Sequence, residues 1–535
     1  MPDEIAQPAP ENPTKGETAP KKKKKKVRSA WISFGGRVIA QIVGAAASVV
    51  LGIVVVQHAQ RRAEAPAAAS TSPPVVPRAA MATRPSGEIA LAVLPLDNFS
   101  ADAKEEYFAD GMTEALTAEL AQISGLHVIS RTSTMRYKQQ RKSIPEVAEE
   151  LDVDFVVEGS VVRANERVRV TAQLINGRTD EHVWARSYDR RLRDVLSLQA
   201  TVAAAIASEL KGVLAAPAAA VRKPVDPAVY DLYLRGRHAW ALRTPEGFEN
   251  AVKYFTEATR RDPAFALGYA GLADTYVLYP TASLGDTSSD NYERARTAAE
   301  KALALDEGLA EAHTSLGAVD FFGKHDFAAA SREFERAFQL NAHYPTAHQW
   351  YAIALSEQGK HQEAARHARE AVDEDPLNGT MHQALGLVLY YARQYDAAVK
   401  SERRALALNA QLPLARVVEA KSLILQGKPD EAISVCEQAP VPRAADVELT
   451  LAIAHARAGR REKANEIYQR LARSAPQSDV LPAQWYAATG NYDAAFDALA
   501  ASQATLPSML RVDPLFDDLR ADRRFAAAMG AEKTR

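Results

Sequence analysis

A single cysteine, Cys436, stands in 535 residues, which excludes an intramolecular disulfide framework and any all-cysteine metal cluster. The thiol is expected on a helix as a small apolar filler. Charge of one sign is also missing. A quarter of the residues are charged and the formal net charge is −2, so the chain average indicates neither an acidic nor a basic partner. Nor is there a GxxxxGK[ST] loop, a GxSxG elbow, an HExxH pair or a CxxC. The closest approach to a metal motif is HQEAARH, with His361, Glu363 and His367. Six residues apart on a helix, the two histidines face opposite sides and cannot share an ion with Glu363. His343 and His348 flank a turn and are expected in solvent. No catalytic residue, cofactor or metal is therefore expected, and the protein is not read as an enzyme.

The balanced average hides an asymmetry. Residues 1–37 carry nine Lys/Arg against four Asp/Glu, and Lys21 to Lys26 are consecutive. Val38–Val56 follows without a charge, with Gln41 and Ser48 as its polar members. As a helix it would span about 28 Å, close to the hydrocarbon core. The expectation is a disordered basic tail at 1–37, one transmembrane helix at 38–58 and a bacterial inner-membrane protein. Its amino terminus would be cytoplasmic and its bulk periplasmic. A cleaved signal peptide is the competing reading. Lys21–Lys26 would sit near anionic lipid, with no nucleic acid expected. Ala40, Gly44, Ser48 and Gly52 form a small-residue stripe that would allow a homodimer.

Residues 59–87 are an Ala/Pro-rich linker, after which the pattern changes. Apolar or alternating runs at Ile89–Leu96, Leu126–Ser130, Asp154–Val162, Arg167–Asn176 and His182–Tyr188 read as strands. Helical spacing holds at Glu105–Gln122, about 143–151 and Asp194–Leu214. The order β-α-β-α-β-β-β-α predicts one α/β domain over 88–215, with a hairpin turn at Ala164-Asn165 and Trp184 and Tyr188 in its core. The strand ends present Asp97, Asn98, Ser130 and Arg131, together with Ser100, Thr132 and Asp110-Gly111. Such a cluster can hold a small anion or nucleotide, or can serve as turn and cap residues. The segments IALAVLPLDNFS, YFADGMTEALTAEL, LHVISRTSTMRYK and DFVVEGSVVRANERVRVTAQLINGRTDEHVWARSYDR resemble the bacterial TolB amino-terminal-like domain. That domain precedes tetratricopeptide arrays in signalling proteins, behind a class III adenylate/guanylate cyclase or a winged helix. The resemblance implies a sensing or scaffolding half. The 37 residues ahead of the apolar run are too few for either output domain, so neither activity is expected to transfer.

From residue 227 the chain repeats. Ala364, Ala398 and Ala432 are 34 residues apart, and Ala371, Ala405 and Ala439 recur in phase, as do Ala352, Gly386 and Ala420. A 34-residue period with small residues at fixed offsets is the mark of tetratricopeptide helical hairpins. Residues 347–376 resemble that consensus, down to Asp375-Pro376. Seven to eight repeats are expected over 227–510, with a polar insertion near 280–290 and a phase slip near Ala464. A C-terminal cap at 511–535 carries DPLFDDLRADRRF, which resembles the ending of such arrays. Thr314, Phe321, Gln349, Ile353, Gln383, Leu387, Tyr390 and Lys421 are expected on the first helices, facing a groove that takes an extended peptide or a partner helix. The expected function is a membrane-anchored scaffold for protein–protein interaction at the bacterial envelope, in a signalling assembly. The alternative is a transducer that senses a small ligand through the α/β domain.

Overall fold

The computed structural model describes residues 88–530, apart from 101, 103–104, 139, 141, 211–222, 283–288, 475–479 and 502–507. The expected basic tail at 1–37, transmembrane helix at 38–58 and linker at 59–87 lie outside the described residues, as do Lys21–Lys26, Gly44, Ser48 and Gly52. Among the described residues no helix is long and apolar enough to cross a membrane. The fold class is therefore corrected to a small α/β domain followed by an all-α superhelix, and the single-pass inner-membrane placement is not carried forward.

The first strand explains the α/β domain. β1 (Ile89–Val93) is apolar throughout and lies between β3 (Leu126–Val128) and β4 (Phe155–Ala164), parallel to both. A continuous apolar run is what a strand covered on both faces requires. Leu91 and Val93 face one layer, which includes Phe108 and Met112 of α1 (Glu106–Ala121) and Leu198, Val202 and Ile206 of α4 (Val195–Glu209). Ala90 and Ala92 face the other, closed by Val147 and Leu151 of α3 (Ile144–Leu151). β5 (Arg167–Asn176) and β6 (His182–Arg191) extend the sheet antiparallel beyond β4, giving the order β3-β1-β4-β5-β6. The short β2 (Asp97–Asn98) pairs with Ser160 and Val161 of β4. Asn165 takes the left-handed conformation at the β4–β5 turn, where Asn is tolerated. Trp184 is buried in the first layer, as its alternation predicts.

Eight helical hairpins follow among the described residues. The first helices are α5 (Pro227–Ala241), α7 (Ala266–Ala282), α9 (Ala310–Ala318), α11 (Pro345–Glu357), α13 (Gly379–Tyr391), α15 (Pro413–Leu425), α17 (Ala445–Arg457) and α19 (Leu481–Ala488). Their partners are α6 (Pro245–Arg261), α8 (Ser289–Leu305), α10 (Phe327–Leu340), α12 (His361–Glu374), α14 (Tyr395–Leu408), α16 (Pro429–Glu437), α18 (Arg461–Ser474) and α20 (Tyr492–Ala501). First helices of successive repeats pack on one another and so line the inner face. The periodic alanines sit where helices cross. Ala352, Ala364, Ala371, Ala398, Ala405, Ala420 and Ala432 have no exposed surface. At Gly386 a Cβ would come within 2.3 Å of Glu402, so this crossing admits only glycine unless the carboxyl moves. Cys436 is buried in the core between repeats, as expected of an apolar filler.

Candidate binding surfaces

The residues expected to cluster at the strand ends are dispersed, and at Ser130 the solenoid covers them. Ser130 caps the short α2 (Arg131–Thr134), its hydroxyl accepting from the Thr132 amide. The Ser130 amide donates to the carbonyl of Glu374, at the end of α12. Ser133 donates to the Asp375 carboxylate at 2.6 Å and accepts from the Leu377 amide at 2.8 Å. Leu377 itself enters the second core layer of the α/β domain. The group that sits at these residues is the solenoid's own buried carboxyl, Asp375. Burial pushes its carboxyl above the ordinary range, while Ser133, Asn378 and Ser130 act to lower it. Asp97 and Asn98 lie apart from this contact on β2, Asp97 exposed and Asn98 accepting from the Ser100 amide.

Arg131 turns the other way, about 4 Å from Asp110 and Glu114 on α1. There it joins a second contact with the solenoid. Arg237 of α5 donates to Glu114 at 2.6 Å and to Asp274 of α7 at 3.2 Å. Burial alone would raise the Glu114 carboxyl, but Arg237 and Arg131 hold it below its usual value. At Asp274 burial wins and the carboxyl is raised. Gly111 allows the close approach, since a Cβ there would meet Leu234 at 2.5 Å. A cavity of about 60 Å³ remains, lined by Gly111, Glu114, Arg237, Asp274 and Glu311, among others. That is room for water but far below the volume of a ligand pocket.

The inner face tells a parallel story. The carboxyl segment forms short turns at Ser508–Arg511 and Pro514–Leu519 before α21 (Arg523–Gly530). Asp513 accepts from the Tyr390 hydroxyl at 2.6 Å and lies 3.4 Å from the Lys421 ammonium. All three are buried. Asp513 also caps its own turn through the Leu515 amide. Val512 packs with Tyr390 and Val418, and Phe516 has no exposed surface. Arg393 pairs with Asp517 at the rim.

Of the groove residues expected from sequence, Tyr390 and Lys421 therefore share one ligand, supplied by the same chain. Gln349, Ile353, Gln383 and Leu387 are half-buried on the first helices α11 and α13. Two others turn inward. Thr314 is buried, its hydroxyl bonding back to the Ala310 carbonyl. Phe321 lies on a π-helical turn, Val319–Gly323, whose extra residue rotates its ring into the core beside Phe322 and Phe327.

The histidines depart most from expectation. His348 is buried, its Nδ1 2.8 Å from Nδ1 of His367. His343 donates or accepts at 2.6 Å with Glu374 and lies 3.8 Å from Glu88, at the α/β boundary. A turn position next to a polar stretch reads as solvated because the covering domain is more than 200 residues away in sequence.

Residues 87–205 match the family described as HilA/YgeH-like transcriptional regulator, second domain. Residues 316–378, 384–448 and 423–484 match tetratricopeptide repeats. The chain thus carries a HilA-like domain ahead of tetratricopeptide repeats, an architecture suited to binding proteins or peptides. The family matched is the HilA-like one, whereas the motifs led to an expectation of the TolB amino-terminal-like domain. The chain is 35% identical over 259 residues to putative adenylate cyclase 3 of Rhizobium meliloti (strain 1021), covering 48% of this chain and 43% of that protein. It is 25% identical over 199 residues to the transcriptional regulator HilA of Salmonella typhimurium, covering 37% and 35%. The chain spans less than half the length of these curated relatives. Among solved structures it is similar to Pseudomonas aeruginosa pilF, at 22% identity and TM-score 0.33, covering 42% of this chain and 99% of that one. It is also similar to the type IV pilus biogenesis factor PilW, at 15% identity and TM-score 0.35, covering 42% and 100%.

Proposed function

We propose that the protein is a non-catalytic recruitment scaffold of a signalling assembly. Its inner groove takes an extended partner segment in which an acidic residue is followed by apolar ones. The observation that carries this reading is Asp513, seated between Tyr390 and Lys421 with Val512 and Phe516 buried on either side. A groove that holds Val-Asp-Pro-Leu-Phe in cis has the shape and charge to hold a similar segment in trans. Gln349, Ile353, Gln383 and Leu387 extend the same face and would contact the flanks of that partner. The α/β domain, of the TolB amino-terminal-like kind, acts as the rigid platform. Asp375 fills the place at Ser130 and Ser133 where a small ligand would sit, which favours docking over ligand sensing.

The test is a fluorescent peptide of residues 511–519 added to the whole chain. It should bind weakly to wild type, because the cis segment competes. It should bind tightly to Asp513→Ala, whose own segment no longer satisfies Lys421, and poorly to Lys421→Ala/Asp513→Ala. Equal binding to all three would refute the reading.

A further inference from the structure

Beneath the loop that carries His343, three polar side chains converge away from both contacts described above. His348 comes from α11, while His367 and Glu370 stand three residues apart on one face of α12. The two Nδ1 atoms are 2.8 Å apart, and Glu370 Oε2 is 3.2 Å from each. Oε2 is shielded from solvent and no hydrogen bond is directed at it. Phe338 stacks on both rings, at 4.4 and 5.2 Å, and screens the cluster.

We propose that His348, His367 and Glu370 bind a divalent transition-metal ion, with zinc the best match. Zinc bonds imidazole nitrogen and carboxylate oxygen at about 2.0–2.2 Å, which sets tetrahedral ligand atoms about 3.3 Å apart. Both distances to Glu370 Oε2, at 3.2 Å, match that spacing, while the two Nδ1 atoms, at 2.8 Å, would part by about half an ångström. Two imidazoles and a carboxylate form a borderline donor set that suits zinc over calcium or magnesium. The outer shell is also in place. His348 Nε2 lies 2.8 Å from the Ala342 carbonyl and donates its proton there, leaving Nδ1 with a lone pair toward the site. Glu370 Oε1 points toward Arg366, 2.7 Å away, and Oε2 is the oxygen that faces the two imidazoles.

One group opposes binding. Arg366 also donates to His367 Nε2 at 2.8 Å, which keeps the ring proton on Nδ1, toward His348. For the ion to bind, that proton passes to Nε2 and the guanidinium turns away. No proton is lost from the neutral ring. The Arg366 side chain is 56% exposed and free to move. Three protein ligands leave the fourth position to water. Bound there, the ion would pin α11 to α12 just behind His343, which meets the α/β domain through Glu88.

The experiment titrates the whole chain with Co²⁺ and then displaces it with Zn²⁺. Wild type should take up one equivalent at this site and show the visible bands of four-coordinate Co²⁺. Glu370→Gln, at a residue 35% exposed, should keep the fold and weaken binding about 100-fold or more. Arg366→Gln removes the competing donor and should tighten binding about tenfold. Absence of the bands in wild type and Arg366→Gln would overturn the proposal. So would bands that persist unchanged in Glu370→Gln, since the ion would then sit elsewhere.

Discussion

The solenoid holds the rest of the chain at two places, and it does so by different physics. Along the loops between repeats and on α5 it grips the α/β domain through polar and charged contacts: Arg237 with Glu114, Asp375 with Ser133, and His343 with Glu88. In the groove it grips the carboxyl segment mainly by apolar packing, with one buried ion pair, Lys421–Asp513, at the centre. A charged contact is specific but sensitive to pH and to the loss of either partner. An apolar contact centred on one ion pair is strong where it is dry and can open from its ends. The first suits a fixed platform, the second a segment that gives way to a competitor.

The largest expected effect comes from orphaning a buried charge. Arg237→Met strips buried Asp274 of its paired guanidinium and leaves Glu114 with only the more distant Arg131, and should cost about 3–5 kcal/mol. Denaturant unfolding would check this, and a loss under about 1 kcal/mol would mean the network is hydrated. Lys421→Ala should cost a comparable amount in the groove, and most of it should return in Lys421→Met/Asp513→Asn, where no charge is stranded. A smaller effect follows at the strand end. Ser133→Ala removes a donor from buried Asp375 and should cost about 1–3 kcal/mol in the same assay.

The charged contact should also respond to pH, and at two residues stability should fall as pH rises. Burial opposes the charge on His343, but Glu374 beside it raises its pKa above the ordinary 6.5. The favourable contribution is thus complete below pH 6.5 and lost as pH rises through the raised value. The destabilisation caused by His343→Gln should therefore be seen at pH 5.5 and fade by pH 8.5. Asp373 is pushed up from 3.8 to about 7 by burial, with Glu374 and Glu370 adding to it. Its folded-state penalty grows between those values, so the gain in thermal midpoint from Asp373→Asn should grow from pH 5 to 7 and then level off. A pH-independent difference in either variant would place that group in solvent. The smallest effect concerns Cys436, whose thiol burial pushes up to about 12. It should react with a thiol reagent only as fast as the native fold opens.

Much of this architecture was legible because it is local or periodic. The 34-residue spacing of Ala364, Ala398 and Ala432 encodes the helix crossings directly, and the apolar run at Ile89–Val93 encodes a central strand. Asp375-Pro376 was visible as a repeat ending, and Ser130 as a cap. That the two meet was not visible, since Ser133 and Asp375 are 242 residues apart and nothing in either local pattern requires the other. The same holds for Tyr390 and Asp513, 123 residues apart. HQEAARH by itself offers no shared site, and nothing in it shows that His367 meets His348 across the hairpin. At Phe321 a period of 3.6 was assumed, and the π turn shifts the face by one residue.

The central claim is that the segment in the groove is a displaceable ligand rather than a permanent part of the solenoid. Hydrogen exchange at the amides of Leu515 and Phe516, both bonded to Asp513, tests it most directly. The account predicts that these amides open locally, well below the free energy that exposes α13 and α15, and that Lys421→Ala speeds them while those helices stay protected. Exchange at Leu515 and Phe516 only through the same opening that exposes α13 and α15 would contradict it.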